Sequence, residues 1–326
     1  MKVLVTGANG FVGSAVCEAL AQREHRVLAV SRPTQHSHSL SISEQTTQYL
    51  RRVEADFSTI SSIQAYLQGI DAVVHCAARV HQVRETADDP LAEYRKVNTQ
   101  ATLDLAQASA QAGVKRFVFL SSVKVNGNFC PAGQPYRADQ AAPQDPYGIS
   151  KWEAELGLRE IAAKTGLDVV IIRPPLVYGP GVKANFLTMM QWLSKGIPLP
   201  LGAISNQRSL VALANLVDFM ALCLMHPMAA NQTFMISDQE DVSTTQLLRG
   251  LGNALGRPAR LLPMPQKLLE ISLQAIGKGG VAQRLCGDLA VDSSPASSLL
   301  GWKPPLCVQQ GLQLTADDFL RGLPKP

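Results

Sequence analysis

Five short runs of apolar, largely β-branched residues recur through the first half of the chain: KVLVT (2–6), RVLAV (26–30), DAVVHCA (71–77), RFVFLSS (116–122) and LDVVIIRP (167–174). Runs this continuously apolar suit strands buried on both faces. Helical periods at 11–22, 58–68, 91–112 and 147–164 lie between them, so the alternation predicts a parallel sheet covered by helices on both sides. After RPP at 173–175, prolines and glycines crowd into PPLVYGPG and KGIPLPLG, the elements shorten, and a smaller second unit is expected to begin. The window SLVALANLVDFMALCLM at 209–225 contains Asp218 and falls short of the roughly 18 uninterrupted apolar residues of a membrane span. It reads as a strand followed by a buried helix.

Between the first strand and the first helix stands TGANGFVG, with Gly7, Gly10 and Gly13. Glycine inside an element costs roughly 0.5–1 kcal/mol relative to alanine, so three in seven residues need a compensating role. A strand-to-helix turn offers one, because its exposed N–H groups and the helix dipole can receive a diphosphate. Gly7 would make the turn, Gly10 would let phosphate approach the backbone, and Gly13 would let the helix pack closely. The spacing is GxxGxxG rather than the commoner GxGxxG of dinucleotide sites. Phe11 and Val12 complete the loop. At the end of the second strand, where an acid would favour NAD through the ribose 2′-hydroxyl, the chain has Ser31 and Arg32. Arg32 could accept a 2′-phosphate in a forked contact, which favours NADP(H) and leaves NAD(H) open.

A second constellation is DPYGISKWEAE at 145–155. If Asp145 caps a helix with Pro146 at its first position, Tyr147 and Lys151 project from one face. An ammonium there would favour the phenolate and lower the tyrosine pKa from about 10 toward the working pH, as proton transfer needs. RFVFLSS brings Ser121 and Ser122 to the carboxyl end of a strand, where ligands bind in open α/β sheets.

Taken together, TGANGFVG, ADF (55–57), HCAA (75–78), VN (97–98), LSSVKVNG (120–127), YGISK (147–151) and RPPLVYGPG (173–181) resemble the extended short-chain dehydrogenase/reductases, in the nucleotide-sugar epimerase/dehydratase group. The resemblance covers nearly the whole chain. It implies an α/β fold, with a Rossmann-like doubly wound parallel sheet over 1–174. A smaller mixed α/β substrate domain would follow over 175–326, part of 207–236 returning to the main sheet. It further implies that Ser122, Tyr147 and Lys151 are catalytic, that Asp56 and Phe57 lie near the adenine, and that Ala77 and Ala78 line the cofactor. Asn98 would support the active-site end of its helix and stand among the cofactor contacts, and Lys151 would also bond the nicotinamide ribose. Asn185 and Arg208 resemble positions that hold the nucleotide and diphosphate of an NDP-sugar, and Lys124, two residues past Ser122, is a further candidate for substrate contact. A homodimer through helices 91–112 and 147–164 is implied as well.

Family members that dehydrate a sugar carry an Asp-Glu pair directly after the catalytic hydroxyl residue. Here those positions are Val123 and Lys124, which argues against a 4,6-dehydratase. Two chemistries at C4 of an NDP-hexose remain. The first, preferred on SSVKVNG, DPYGISKWEAE and RPPLVYGPGVKANF, is reduction of a 4-keto-6-deoxy sugar for surface polysaccharide. The second is 4-epimerisation with bound NAD. A third reading, a dinucleotide-sensing regulator without turnover, conflicts with the presence of both Tyr147 and Lys151.

Other features exclude more than they assign. The 30 basic and 26 acidic side chains leave a net charge of +4 without blocks of like charge, against a dedicated nucleic-acid surface. No run suggests membrane insertion, and a start at MKVLVTG without a signal-peptide pattern makes the cytosol the expected compartment. The six cysteines have no CxxC and no histidine at metal-ligand spacing, so buried thiols and no metal site are expected. His36 and His38 lie in a polar loop, His75 is expected as a satisfied core histidine, and Trp152 and Trp302 as packing residues.

Overall fold

The computed structural model describes residues 1–32, 44–56, 59–80 and 88–322. Nine strands occur among them: β1 Lys2–Thr6, β2 Arg26–Ser31, β3 Leu50–Glu54, β4 Ala72–His75, β5 Arg116–Leu120, β6 Asp168–Arg173, β7 Leu176–Tyr178, β8 Leu210–Ala212 and β9 Thr233–Met235. Seven form one sheet in the order β3-β2-β1-β4-β5-β6-β9, every pair parallel. β7 and β8 pair separately. Strand order reverses between β1 and β4, which opens a crevice at their carboxyl ends.

Because side chains alternate across a strand, one strand feeds two cores. Val3 and Val5, Val118, and Val170 and Ile172 face the helices Phe11–Gln22 and Leu213–Met225. Leu4, Phe117 and Phe119, and Val169 and Ile171 face the helices Ala101–Gln111 and Pro146–Thr165. The sheet is thus Rossmann-like and doubly wound. A third core gathers Tyr178, Phe186, Met190, Leu248, Leu251 and Leu312 among the helices Ala184–Ser194, Thr244–Ala254 and Val308–Arg321.

Several local readings change. β3, LRRVE, is a half-exposed edge strand whose charges hide it from an apolar-run criterion. Within the 207–236 segment expected to return to the main sheet, it is β9 that does so, pairing with β6 after the helix Leu213–Met225. The 58–68 helix is α-helical only over Ile60–Ile63 and tightens to 3₁₀ at Gln64–Leu67. The 91–112 helix starts at Pro90, capped by Asp89, and passes through a π-helical stretch at Arg95–Gln100. Cys17, Cys130, Cys223 and Cys286 are buried, Cys76 is partly so, and Cys307 corrects the buried-thiol expectation by lying exposed. His36 and His38 fall outside the described residues. His75 is buried and bonded to Thr6 Oγ1 at 2.7 Å and Thr102 Oγ1 at 2.9 Å. Burial pushes its pKa down to about 3. Trp302 is buried and donates to Asp218. Among the described residues, no helix is long and apolar enough to cross a membrane, and no His/Cys/Asp/Glu cluster could hold a metal ion.

Candidate active site

A cleft of about 560 Å³ lies over the carboxyl ends of β1, β4 and β5. One wall is the glycine loop. Gly7 sits at φ +69°, and a Cβ there would stand 2.8 Å from the Ala77 nitrogen; a Cβ on Gly13 would meet the Gly7 carbonyl oxygen at 2.2 Å. Both glycines therefore let backbone touch backbone. Gly10 is different: its added Cβ would meet only the Gly7 oxygen, at 3.1 Å, so the space beyond it is open. Gly10 also caps the helix Phe11–Gln22 with no side-chain hydrogen bond and no acid in the first turn. The N-terminal N–H groups and the positive end of the helix are left for an anion, which fits a dinucleotide's diphosphate.

The opposite wall comes from β5 and the helix Pro146–Thr165. Asp145 Oδ1 accepts from the Gly148 N–H at 2.8 Å and Pro146 occupies the first turn, which sets the helix start and aims Tyr147 and Lys151 at the cleft. Ser122 shares a hydrogen bond with the Tyr147 hydroxyl. The Lys151 ammonium donates to the Leu120 carbonyl at 2.9 Å and lies 4.5 Å above the Phe119 ring. One turn on, Glu155 accepts from Ser121 Oγ at 2.6 Å and forms a fully buried fork with Arg173, at 2.8 and 2.6 Å. Arg173 also donates to Asn126 Oδ1 and the Ala138 carbonyl, each at 3.0 Å. Trp152 lies under the guanidiniums of Arg159 and Arg173.

The electrostatics correct one expectation. Burial pushes Tyr147 up to about 12, against the lowering expected from a nearby ammonium. The same burial, only partly offset by Cys76 and Glu155, brings Lys151 down to about 8. In a buried site the neutral forms of phenol and amine are both favoured, and this outweighs the attraction between their ions.

The cleft brings together Gly7, Gly10, Phe11, Val12, Gly13, Ser31, Arg32, Ala77, Ala78, Ser122, Tyr147 and Lys151. Others stand apart. Asp56 follows β3, with its carbonyl bonded by Thr59 and Ser62, and is not on the described lining; Phe57 is outside the described residues. Asn98, expected among the cofactor contacts, is instead fully enclosed: it exchanges bonds of 2.8 and 3.0 Å with the Arg79 backbone and donates to Ser150 Oγ. Ser150 in turn donates to the Tyr147 carbonyl, so Asn98 braces the turn that carries Tyr147. Lys124 is drawn off by Asp145, at 3.3 Å, and by Asn128. Asn185 is exposed in the first turn of the helix Ala184–Ser194. Arg208 Nη1 donates to the carbonyls of Arg284 and Gly287, at 3.0 and 3.1 Å. Asn9, Val30, Cys76, Val80, Val97, Leu120, Ser121, Pro174, Pro175 and Val177 also line it, none of them among the expected cofactor contacts. The Glu155–Arg173 fork was missed too, although a Glu four residues after Lys151 on one helix face is a legible signal.

A sequence model of the NAD dependent epimerase/dehydratase family matches residues 3–237. The chain belongs to this family. It is an enzyme of the NAD-dependent epimerase/dehydratase type, and its relatives agree. A Vibrio cholerae UDP-glucose 4-epimerase is 42% identical over 325 residues, covering 98% of this chain and 96% of its own. An Escherichia coli O157:H7 N-acetyl-alpha-D-glucosaminyl-diphospho-ditrans,octacis-undecaprenol 4-epimerase is 28% identical, covering 96% and 94%. Among solved structures, the UDP-glucuronic acid 4-epimerase of Bacillus cereus in complex with NAD superposes with a TM-score of 0.78 at 22% identity, covering 98% of this chain and 99% of that one. The UDP-glucose 4-epimerase of Thermotoga maritima, with UDP-glucose, gives 0.77 at 23%, with the same coverage. The two structures establish the shared fold.

Proposed function

We propose that this family member is a nucleotide-sugar 4-epimerase that keeps NAD in the cleft and inverts C4 of a UDP-hexose or UDP-N-acetylhexosamine. The observation that carries the reading is the meeting of Ser122, Tyr147 and Lys151 opposite the open glycine loop, with Val123 and Lys124 where a dehydratase has carboxyls. Of the two C4 chemistries expected from the sequence, the relatives' names favour epimerisation over reduction of a 4-keto sugar. The NAD in the Bacillus cereus complex likewise supports NAD over the NADP(H) preference drawn from Arg32.

Gly7, Gly10 and Gly13, with the N–H groups of Phe11 and Val12, would hold the diphosphate, Ala77 and Ala78 the middle of the cofactor, and Lys151 its ribose. Bound NAD⁺ supplies the hydride acceptor for C4 and a positive charge that favours the Tyr147 phenolate. Tyr147 takes the proton of the C4 hydroxyl as the C–H electron pair leaves, and returns it when the pair comes back to the other face of the ketone. Ser122 holds the reacting oxygen by a hydrogen bond through both halves. Lys151, charged below about pH 8, steadies the phenolate.

The purified protein tests this directly. Nucleotide released by acid should be NAD, and UDP-galactose or UDP-N-acetylgalactosamine should equilibrate with its C4 epimer without added cofactor. A protein that arrives without dinucleotide and consumes NADPH with a 4-keto sugar nucleotide would be a reductase.

A further inference from the structure

The helices Gln266–Ala275 and Gly279–Cys286 form a hairpin whose inner side gives Leu269, Leu273, Leu285 and Cys286 to the third core. That face accounts for folding, yet the opposite face is apolar as well. At about 100° per residue, Leu268, Ile271 and Ala275 fall within roughly 60° of one another, turned away from Leu269 and Leu273. Leu262, Leu268, Ile271 and Ile276 are 56, 51, 63 and 64% exposed. Single exposed apolar residues are ordinary, but Leu268 and Ile271 share this outer face, and Leu262 before the helix and Ile276 at its end expose further aliphatic surface.

The stretch of chain that includes the hairpin is predominantly basic. Between Asp241 and Asp288 the chain carries Arg249, Arg257, Arg260, Lys267, Lys278 and Arg284 against a single acid, Glu270, which is half-buried and bonded by Gln266. Elsewhere the two signs nearly balance, so this stretch carries the net positive charge of the whole protein. No aromatic residue occurs in residues 262–287, whereas protein interfaces draw their binding energy mainly from Trp, Tyr and Arg anchors seated in pockets. An exposed aliphatic stripe on a hairpin that also exposes Lys267, Lys278 and Arg284 matches the boundary between lipid headgroups and acyl chains.

We propose that this hairpin docks the protein on an anionic lipid bilayer without crossing it, the aliphatic stripe entering the headgroup layer and the basic side chains meeting lipid phosphates. The hairpin is bonded to the substrate side of the molecule: Arg208 donates to the Arg284 and Gly287 carbonyls, and Asn206 to those of Leu285 and Gly287. Docking therefore holds that side at the membrane surface.

Co-sedimentation of the full-length protein with vesicles tests the proposal, and it needs no substrate, so its outcome is independent of the epimerase reading. Wild type should partition onto phosphatidylglycerol-containing vesicles, far less onto phosphatidylcholine alone, and less as salt rises. Leu268→Ser combined with Ile271→Ser should lower the partition coefficient at least tenfold, as should Lys267→Glu combined with Lys278→Glu, with melting temperature and turnover of a soluble UDP-sugar unchanged. Should the serine pair misfold, Ile276→Ser, just past the first helix, should give a smaller loss in the same direction. Wild type left in the supernatant at low salt would overturn the proposal, as would serine variants that bind like wild type. Sedimentation velocity showing that the serine pair dissociates an oligomer formed by wild type would assign the face to a second copy instead.

Discussion

The cleft over β1, β4 and β5 and the lobe around Arg208 both hold polar side chains, but on different terms. In the cleft, the capping position Gly10 has no side-chain bond, and Ser122, Tyr147 and Lys151 line the cavity, Lys151 held there by the Leu120 carbonyl. In the lobe, Arg208 and Asn206 are bonded to the carbonyls of residues 284–287, and Asn206 Oδ1 accepts from the Thr244 N–H. On the proposed function, the chemistry is prearranged by the sheet and its helix ends, whereas a ligand that reached Arg208 would exchange a protein bond for its own. Binding energy is gained in full only in the first case, because a donor already satisfied gives up one acceptor for another.

The sharpest way to break this contrast is Tyr147→Phe. It leaves the ring packed at 6.1 Å from that of Tyr94 and removes only the hydroxyl. The epimerisation rate should fall about 10²–10⁴-fold, the share of a positioned acid–base group, with bound NAD unchanged by nucleotide analysis. A loss under tenfold would remove the proton-transfer role and with it the idea of a prearranged cleft.

Lys151→Met probes the cost of that arrangement. Burial lowers the lysine from its ordinary 10.5 to about 8. Below pH 8 it is charged in both folded and unfolded chains, and the fold bears the full desolvation penalty. Between about 8 and 10.5 the unfolded chain retains a proton that the folded one has released, so rising pH stabilises the wild type. The variant should therefore be nearly inactive yet more stable at pH 7, by up to about 3 kcal/mol. Urea denaturation at pH 7 and 9.5 should show the advantage shrinking at the higher pH. A variant less stable than wild type at pH 7 would mean that the bond to Leu120 outweighs desolvation.

The smallest effect belongs to the lobe. Arg208→Ala should raise KM for the nucleotide sugar by about three- to tenfold with kcat within twofold, less than the ~1.5–3 kcal/mol of a charged hydrogen bond made by an idle donor. Initial-rate kinetics decide it. A hundredfold rise would place Arg208 with the prearranged groups and erase the distinction.

The same contrast governs what could be read from the chain. The glycine loop and the Asp145-Pro146 cap depend on backbone conformation and local spacing, so Gly7, Gly13, Tyr147 and Lys151 were legible, as were the five apolar strands. β3 escaped because its residues are charged and exposed at a sheet edge, and β9 was foreshadowed only through the resemblance because three residues carry too little pattern. The direction of the Tyr147 shift was misread because spacing places an ammonium near a phenol but says nothing of the water excluded around both. Lys124 was misjudged because its attraction to Asp145 arises only once the 3₁₀ turn Val123–Val125 meets the helix cap. The bonds of Arg208 and Asn98 join segments 19 to 79 residues apart, beyond any local motif.

The π-helical stretch Arg95–Gln100 turns chain length itself into a constraint. A π turn accommodates a residue that an α-helix of the same length would not, and losing any one residue there would let the helix rewind. Because the α turn so restored takes up the missing residue, the helix on either side keeps its facing. Only residues inside the turn are displaced, and Asn98, which holds Arg79 and Ser150 from there, is one of them, so the turn beneath Tyr147 would lose its brace. A single codon's deletion would thus leave the rest of the helix in place and still reach Tyr147 without altering Ser122, Tyr147 or Lys151.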